Sequence, residues 1–179
     1  MKDSKGKAVI NLSKSIKERV WWDYLPEDLQ GLLRESALLV NRVGKWSETF
    51  HDYSFVVFPA AKSYEGFLKA LFLDMGFIDK ETYYGKRFRV GKALNPSLER
   101  RFRNESVFDK IVKFCGGKEL ANNLWDTWRS CRNLLFHWFP NEKNAISYKE
   151  AVDRVERIVN TMDMAFKECK IELAGDKKS

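Results

Sequence analysis

Apolar residues recur every three or four positions along most of the chain, a spacing that predicts α-helices. The pattern is clearest over residues 147–169, where Ser147 and Glu150 form a capping box that marks a helix start. The apolar face of this helix comprises Tyr148, Val152, Val155, Val159, Met162, Phe166 and Cys169. Alternating steps of four and three are typical of antiparallel helix packing, so we expect a helical bundle.

Three further long helices are predicted by the same spacing, at residues 26–43, 53–75 and 118–138. Pro26 suits the first turn of one helix, and Gly76 suits the left-handed position after the next. Pro140 disfavours helical geometry in the residue before it, so the third helix must end by that point. The apolar seam of the third helix comprises Leu120, Leu124, Trp128, Cys131, Leu135 and Trp138.

Residues 77–105 have no sustained period and contain Gly85, Gly91 and Pro96, which predicts a long irregular insertion with a turn of helix near residues 97–103. A short helix is expected after it, over residues 106–114. The predicted fold class is therefore all-α. It is an antiparallel helical bundle with a long basic insertion between the second and third core helices.

A single domain is expected over residues 11–173, with disordered tails at 1–10 and 174–179. The chain has 179 residues and is 44% apolar and 14% aromatic, which suits a packed globular core. No apolar run approaches the ~20 residues of a membrane span, and no apolar stretch of secretory type follows the N-terminus. We therefore expect a cytoplasmic protein that has no membrane partner.

Cysteine and histidine are too scarce to suggest a metal centre. The chain has three cysteines, far apart, and two histidines, so neither a zinc site nor any other cofactor is predicted. Cys131 lies on the apolar seam and is interpreted as a core residue rather than a nucleophile. His51 lies at a helix junction and is assigned no role.

Positive charge is concentrated in the insertion. The formal net charge is +7, and residues 86–103 hold seven cations and one anion, Glu99. The cations are Lys86, Arg87, Arg89, Lys92, Arg100, Arg101 and Arg103. A localised basic patch favours a polyanionic partner, and these seven residues are the predicted binding site for it. The alternative is an ordinary charged loop.

One short motif combines a proton-exchanging group with a phosphate-binding group. Arg132 and Asn133 are followed after three apolar residues by His137. An imidazole exchanges a proton near neutral pH, and a guanidinium binds phosphate through two parallel hydrogen bonds. These groups suffice to cut a phosphodiester without a metal. The alternative is that His137 is a helix-end residue and Arg132 a surface cation.

The spacing of the motif raises a geometric problem. On an ideal helix, Arg132 and His137 point about 140° apart. Either the helix loosens before Pro140, or a second copy of the chain completes the site. Phe136 lies off the internal seam, where a contact between two copies is possible.

An all-α bundle with Arg-Asn-x-x-x-His at the end of its third long helix resembles the HEPN superfamily. Many members are metal-independent endoribonucleases of toxin–antitoxin, phage-defence and RNA-decay systems. The resemblance covers residues 26–170 and is most specific at the motif. Within the superfamily, residues 53–71 and 91–98 look most like the nuclease domain of RNase LS-type toxins, which are longer than this chain.

The resemblance implies a role for each residue of the motif. His137 would be the acid–base, Arg132 would steady the charge that builds on the phosphate, and Asn133 would orient one of them or the substrate. Many of these nucleases carry a polar or acidic residue in the preceding long helix, here Glu65, which would hold Arg132 or His137. The ribose 2′-OH would attack the adjacent phosphate. The implied partners are RNA, a second copy in a homodimer, and either an antitoxin protein or a paired nucleotidyltransferase.

Other interpretations of the same residues remain open. Glu65 has Lys62 and Lys69 at helical spacing and could simply pair with one of them. The alternative function is a non-catalytic HEPN-type scaffold that binds RNA or dimerises. A further alternative is a helical interaction domain whose basic loop contacts an acidic protein.

Overall fold

The computed structural model describes residues 12–138, 140 and 144–169, so the predicted tails lie outside the described residues. Within this part of the chain there is no β-strand, and the predicted all-α fold class is confirmed. The α-helices are α1 Leu12–Lys17, α2 Glu27–Val43, α3 Ser54–Asp74, α4 Lys80–Tyr84, α5 Val90–Ala93, α6 Val107–Cys115, α7 Glu119–Trp128 and α8 Tyr148–Cys169. Two 3-10 helices, Trp22–Tyr24 and Arg100–Glu105, and a π-helical turn, Arg129–Asn133, complete the order.

Helix α3 lies at the centre of the fold. It is apolar on most sides, as expected of a helix surrounded by others, and it packs against α2 and α8. Its fully buried side chains include Tyr64, Phe67, Leu68, Leu71 and Phe72. The Tyr64 hydroxyl donates to the carbonyl oxygen of Leu124 at 3.2 Å, which connects α3 to α7.

The helices pair in antiparallel fashion. On α2, the Ser36 hydroxyl donates to the carbonyl oxygen of Val56, and the Ser63 hydroxyl of α3 donates to that of Leu29. As residue numbers fall along α2 they rise along α3, so the two helices run in opposite directions. The hydroxyls of Thr127 on α7 and Thr161 on α8 lie 2.9 Å apart in a buried hydrogen bond.

The helix ends follow the sequence signals. The Ser147 hydroxyl and backbone N–H donate to the Glu150 carboxylate at 2.7 and 2.8 Å, which confirms the capping box. Gly76 after α3 has a φ of 67°, the left-handed conformation predicted for it. The helix after the insertion ends at Gly116, which has a φ of 68°.

The insertion between α3 and α6 is more structured than its sequence suggested. It contains two very short helices, α4 and α5, and the 3-10 helix Arg100–Glu105. Val90 and Leu94 are buried against the bundle, so the insertion is anchored to the core rather than projecting freely. None of the helices in the described part of the chain combines the length and apolar character that crossing a bilayer requires.

Candidate active site

The helix that carries the motif widens where the motif begins. α7 gives way after Trp128 to the π-helical turn Arg129–Asn133. Here the backbone N–H of Leu134 donates to the carbonyl oxygen of Arg129 at 2.9 Å, five residues back rather than four. Single wide turns of this kind occur frequently at functional sites. The turn redirects every residue that follows it.

Side chains from two helices bind carbonyl groups around the wide turn. The Ser130 hydroxyl donates to the carbonyl oxygen of Asp126 at 2.7 Å. The Arg154 guanidinium of α8 donates to the carbonyl oxygen of Ser130. Because buried carbonyl groups need hydrogen-bond donors, Arg154 stabilises the turn from the neighbouring helix.

The prediction of a regular helix as far as Trp138 is wrong. α7 ends at Trp128, and residues 134–136 form a turn. The apolar seam holds as far as Leu135, which is buried, but Trp138 is 81% exposed. The prediction failed because steps of three and four keep residues on one face only in a regular α-helix, and the helix widens from Arg129 onwards.

A cavity of about 320 Å³, here called the motif cavity, lies between α3 and the residues of the motif. It is lined by Phe58, Ala61, Lys62, Glu65, Arg132, Phe136 and His137. Its α3 residues follow one face of that helix, because steps of three and four return to the same side. Arg132 and His137 face the same space, so the loosened helix resolves the 140° separation within one chain.

Arg132 is supported from two sides. Its guanidinium carbon lies 5.1 Å from the centre of the Trp128 ring, one helical turn earlier. Its Nη2 lies 3.5 Å from Oε2 of Glu65 across the cavity, and both side chains are partly exposed. Glu65 thus pairs with Arg132 rather than with Lys62 or Lys69. The charged face of the guanidinium stays accessible to an anion in the cavity.

His137 lies on an exposed segment whose backbone is bound by a residue the sequence did not single out. The Asn144 side-chain amide donates to the carbonyl oxygen of His137 at 2.9 Å and contacts that of Leu134 at 3.5 Å. His137 itself is exposed and lines the motif cavity. Asn144 therefore fixes the direction in which the chain leaves the wide turn.

Asn133 and Phe136 do not occupy the positions that the sequence suggested. Asn133 is half-buried and is not among the residues that line the motif cavity. Phe136 packs edge-to-face on Phe58, with ring centres 5.4 Å apart, and so forms a wall of the cavity within one chain. The two observations that favoured a composite site, the divergent angles and the free Phe136, are both accounted for without a second copy.

The seven cations of the insertion fall into two groups. The first group lines a larger cavity of about 770 Å³, here called the insertion cavity, and comprises Lys86, Arg87, Arg89 and Lys92. The second group lies on the 3-10 helix outside that cavity and comprises Arg100, Arg101 and Arg103.

Several of these cations already have carboxylate partners. Arg101 pairs with Glu99 at 2.8 Å, Lys92 with Glu105 at 2.8 Å, and Arg103 with Asp109 through both carboxylate oxygens at 3.0 Å. Exposed ion pairs of this kind compete with an external phosphate for the same charge. The seven cations therefore differ in whether their charge is already paired with a carboxylate, which the sequence could not show.

The remaining titratable candidates are consistent with structural roles. Cys131 is fully buried, and burial raises the pKa of its thiol, so it stays protonated at neutral pH. Within the described residues, no three side chains of His, Cys, Asp or Glu lie close enough together to hold a metal ion. His51 is exposed and lines neither cavity.

Sequence reasoning missed three residues that shape the site. Trp128 was assigned to the core, although its spacing of four from Arg132 was a signal that the two side chains meet. Arg154 lies on α8 among other charged residues, and nothing in its surroundings marks it out. Asn144 belongs to a short polar loop, where its hydrogen bonds depend on tertiary structure alone.

Comparison of the chain with protein-family models, curated proteins and solved structures found no significant match. The class of this protein therefore has to be inferred from the helical bundle and from the chemistry of the motif cavity.

Proposed function

We propose that this chain is a metal-independent endoribonuclease of the HEPN type, acting in a toxin–antitoxin or phage-defence system. The observation that carries the proposal is that Arg132, Glu65 and His137 line one cavity, although regular helix geometry would separate the first and last. An arginine, its carboxylate partner and a histidine around an open space are suited to bind a phosphate and exchange a proton beside it.

The reaction uses a nucleophile that RNA itself carries. The ribose 2′ oxygen forms a bond to the adjacent phosphorus, and the bond from phosphorus to the 5′ oxygen of the next nucleotide breaks. The 2′-OH loses its proton and the leaving 5′ oxygen gains one, and we assign this proton exchange at the scissile phosphate to His137. The products are a 2′,3′-cyclic phosphate and a 5′-hydroxyl.

Arg132 has an electrostatic role in this proposal. Negative charge builds on the non-bridging oxygens as the 2′ oxygen attacks, and a guanidinium aimed at them stabilises the transition state more than the ground state. Glu65 and Trp128 act on Arg132 as positioning residues, because one pairs with its charge and the other supports its plane. Asn133, which does not line the cavity, is proposed to act on the substrate outside it or through the backbone of the wide turn.

The first prediction tests the chemistry directly. Wild-type protein should cut single-stranded RNA in the presence of EDTA, leave DNA intact and produce 2′,3′-cyclic phosphate ends. His137→Ala should lower the rate by about 10²–10⁴-fold, since a proton-transfer group has that effect. Arg132→Ala should lower it by about 10²–10³-fold. Cleavage is measured by gel electrophoresis of end-labelled RNA.

His51→Ala is the matched control, because it removes the second histidine of the chain from a position outside both cavities. It should cut RNA at the wild-type rate, and circular dichroism should show the same helix content for every variant. If His137→Ala cuts as fast as wild type, the nuclease proposal is wrong. RNA binding without cleavage would instead indicate the non-catalytic scaffold.

We also propose RNA as the substrate partner, a homodimer as the assembly and an antitoxin protein or paired nucleotidyltransferase as the regulator. The homodimer is supported by exposed apolar side chains beside the motif cavity. Phe58 is 49% exposed, Leu134 40% and Trp138 81%. Phe58 lines the cavity, Trp138 follows the lining residue His137 in the chain, and large exposed apolar side chains are typical of interaction surfaces when they share a patch.

A further inference from the structure

The insertion cavity has the two kinds of surface that an unpaired nucleotide needs. Part of its wall is apolar and includes the half-buried rings of Phe77 and Phe88 and the buried side chain of Leu98. Its rim carries the exposed cations Lys86 and Arg87. Proteins that bind single strands combine aromatic faces for bases with cations for the backbone.

Some of the charged side chains that line the insertion cavity already have a partner within the protein. Lys92 pairs with Glu105 at 2.8 Å, and Lys110 donates to the carbonyl oxygen of Phe77 at 2.6 Å. Asp79 serves as the N-cap of α4 and accepts the backbone N–H of Thr82 at 2.7 Å. The only other carboxylate on the lining is that of Glu81.

Lys86 and Arg87 are the cations available to a ligand. Neither side chain has a hydrogen bond or ion pair with any of the residues that the structure describes. Arg89, between them and α5, donates to the carbonyl oxygen of Lys86 at 2.7 Å and so keeps its charge while stiffening the loop. The cavity therefore presents two cations without a partner among the described residues, on a backbone that Arg89 braces.

Helix α5 lies between the insertion cavity and Trp128, the residue that supports Arg132. Arg89 and Lys92, at its start and within it, line the insertion cavity. Gly91 faces the other way and lies against the Trp128 ring, so that an added Cβ would come within 2.5 Å of the indole Nε1. Trp128 in turn supports Arg132. One short helix thus touches both the insertion cavity and the residue beneath the proposed catalytic arginine.

We propose that the insertion cavity binds an unpaired nucleotide of the RNA strand that flanks the nucleotide cut in the motif cavity. The base lies against Phe88, and the phosphate is held by Lys86 and Arg87. This assignment rests on the proposed nuclease function. It makes the protein selective for single-stranded RNA, because a base within a duplex is paired and stacked and reaches an apolar wall only at the cost of being flipped out.

Binding can be tested separately from cleavage. A fluorescein-labelled single-stranded RNA of about 12 nucleotides, long enough for a single-strand binding groove, is titrated against the His137→Ala protein at several salt concentrations. In that background, Lys86→Ala/Arg87→Ala should weaken binding and reduce the slope of log affinity against log salt by about 0.7, the change expected for one lost phosphate contact on a single strand.

The control variant removes two charges elsewhere. Lys113→Ala/Lys167→Ala changes the net charge equally at exposed positions that line neither cavity, and its slope should match that of the parent. Phe88→Leu keeps an apolar side chain but loses the stacking face. It should weaken binding by about fivefold or more and leave the salt slope unchanged.

Three results would overturn the assignment. These are an unchanged slope in the Lys86→Ala/Arg87→Ala protein, equal affinity for a duplex of the same length, and competition by AMP or inorganic phosphate as effective as that by RNA. The last would indicate a site for free phosphates. If binding depends on the cavity but wild-type protein cuts no RNA, the nuclease proposal fails, and the insertion cavity stands only as a binding site for unpaired RNA.

Discussion

Two neighbours hold the side chain of Arg132 in different ways, one through its aromatic ring and the other through its charge. The Trp128 ring supports the guanidinium, and Glu65 meets it at 3.5 Å from the opposite helix. Both members of the ion pair are partly exposed, so the pair contributes little to stability, up to about 1 kcal/mol. The ion pair instead orients the arginine, because it holds the guanidinium toward the motif cavity.

Replacing Glu65 tests this positioning role. Glu65→Gln should lower the cleavage rate by about fivefold, far less than Arg132→Ala, because the arginine keeps its charge and loses only its partner. Glu65→Asp should recover part of the loss. Steady-state kinetics should place the effect on kcat rather than on KM. Glu48→Gln, an exposed change outside both cavities, is the control, and a Glu65→Gln enzyme as impaired as Arg132→Ala would contradict the assignment.

The N-terminal end of α8 is stabilised by the capping box in its first turn. Ser147 and Glu150 bind each other's backbone and side-chain groups, and these hydrogen bonds lower the pKa of the Glu150 carboxyl. Since α8 supplies Arg154 to the wide turn, the cap also affects the far side of the motif.

Removing the cap should make the fold less stable. Ser147→Ala should cost about 1 kcal/mol in the free energy of unfolding, measured by urea denaturation at pH 7. Because the folded pKa of Glu150 is lowered, the charged cap stabilises the fold above the ordinary glutamate pKa and is lost as pH falls through the lowered value. The difference between wild type and Ser147→Ala should therefore shrink in acid. A constant difference across that range would show that the Glu150 charge plays no part.

The long helices were predictable because their signals are local. Caps, left-handed glycines and steps of three and four placed α2, α3 and α8 to within about two residues at each end. The end of α7 was not predictable, because the wide turn is held by Arg154 from another helix. The candidate site was predictable only in part. Arg132, His137 and Glu65 were named from the sequence, and the spacing of four between Trp128 and Arg132 was also readable, but the hydrogen bond from Asn144 to the His137 carbonyl had no sequence signal.

For the molecule as a whole, exposed apolar side chains near the motif residues are a candidate contact surface between two copies of the chain. Phe58, Leu134 and Trp138 are exposed around the cavity. A second copy that covered them would remove these three side chains from water. This arrangement would also place two motif cavities close together.

Sedimentation velocity at micromolar concentration should show a dimer. Leu134→Asp/Trp138→Asp should shift it to monomer, because charges in an apolar interface are desolvated without partners. Val20→Asp/Phe114→Asp, which alters two exposed apolar residues that line neither cavity, should leave the dimer intact. A wild-type protein that sediments only as a monomer would contradict the proposed assembly.

Because of the wide turn at Arg129–Asn133, the motif sequence alone does not determine which way its side chains point. One residue corresponds to about 100° of rotation in a regular helix. A related chain of the same spacing that formed a regular helix through these positions would still read Arg-Asn-x-x-x-His. Its histidine would then turn away from α3 and from the arginine's carboxylate partner. The rotation of the motif residues about the helix axis, and not the motif sequence alone, decides whether the arginine and the histidine face the same cavity.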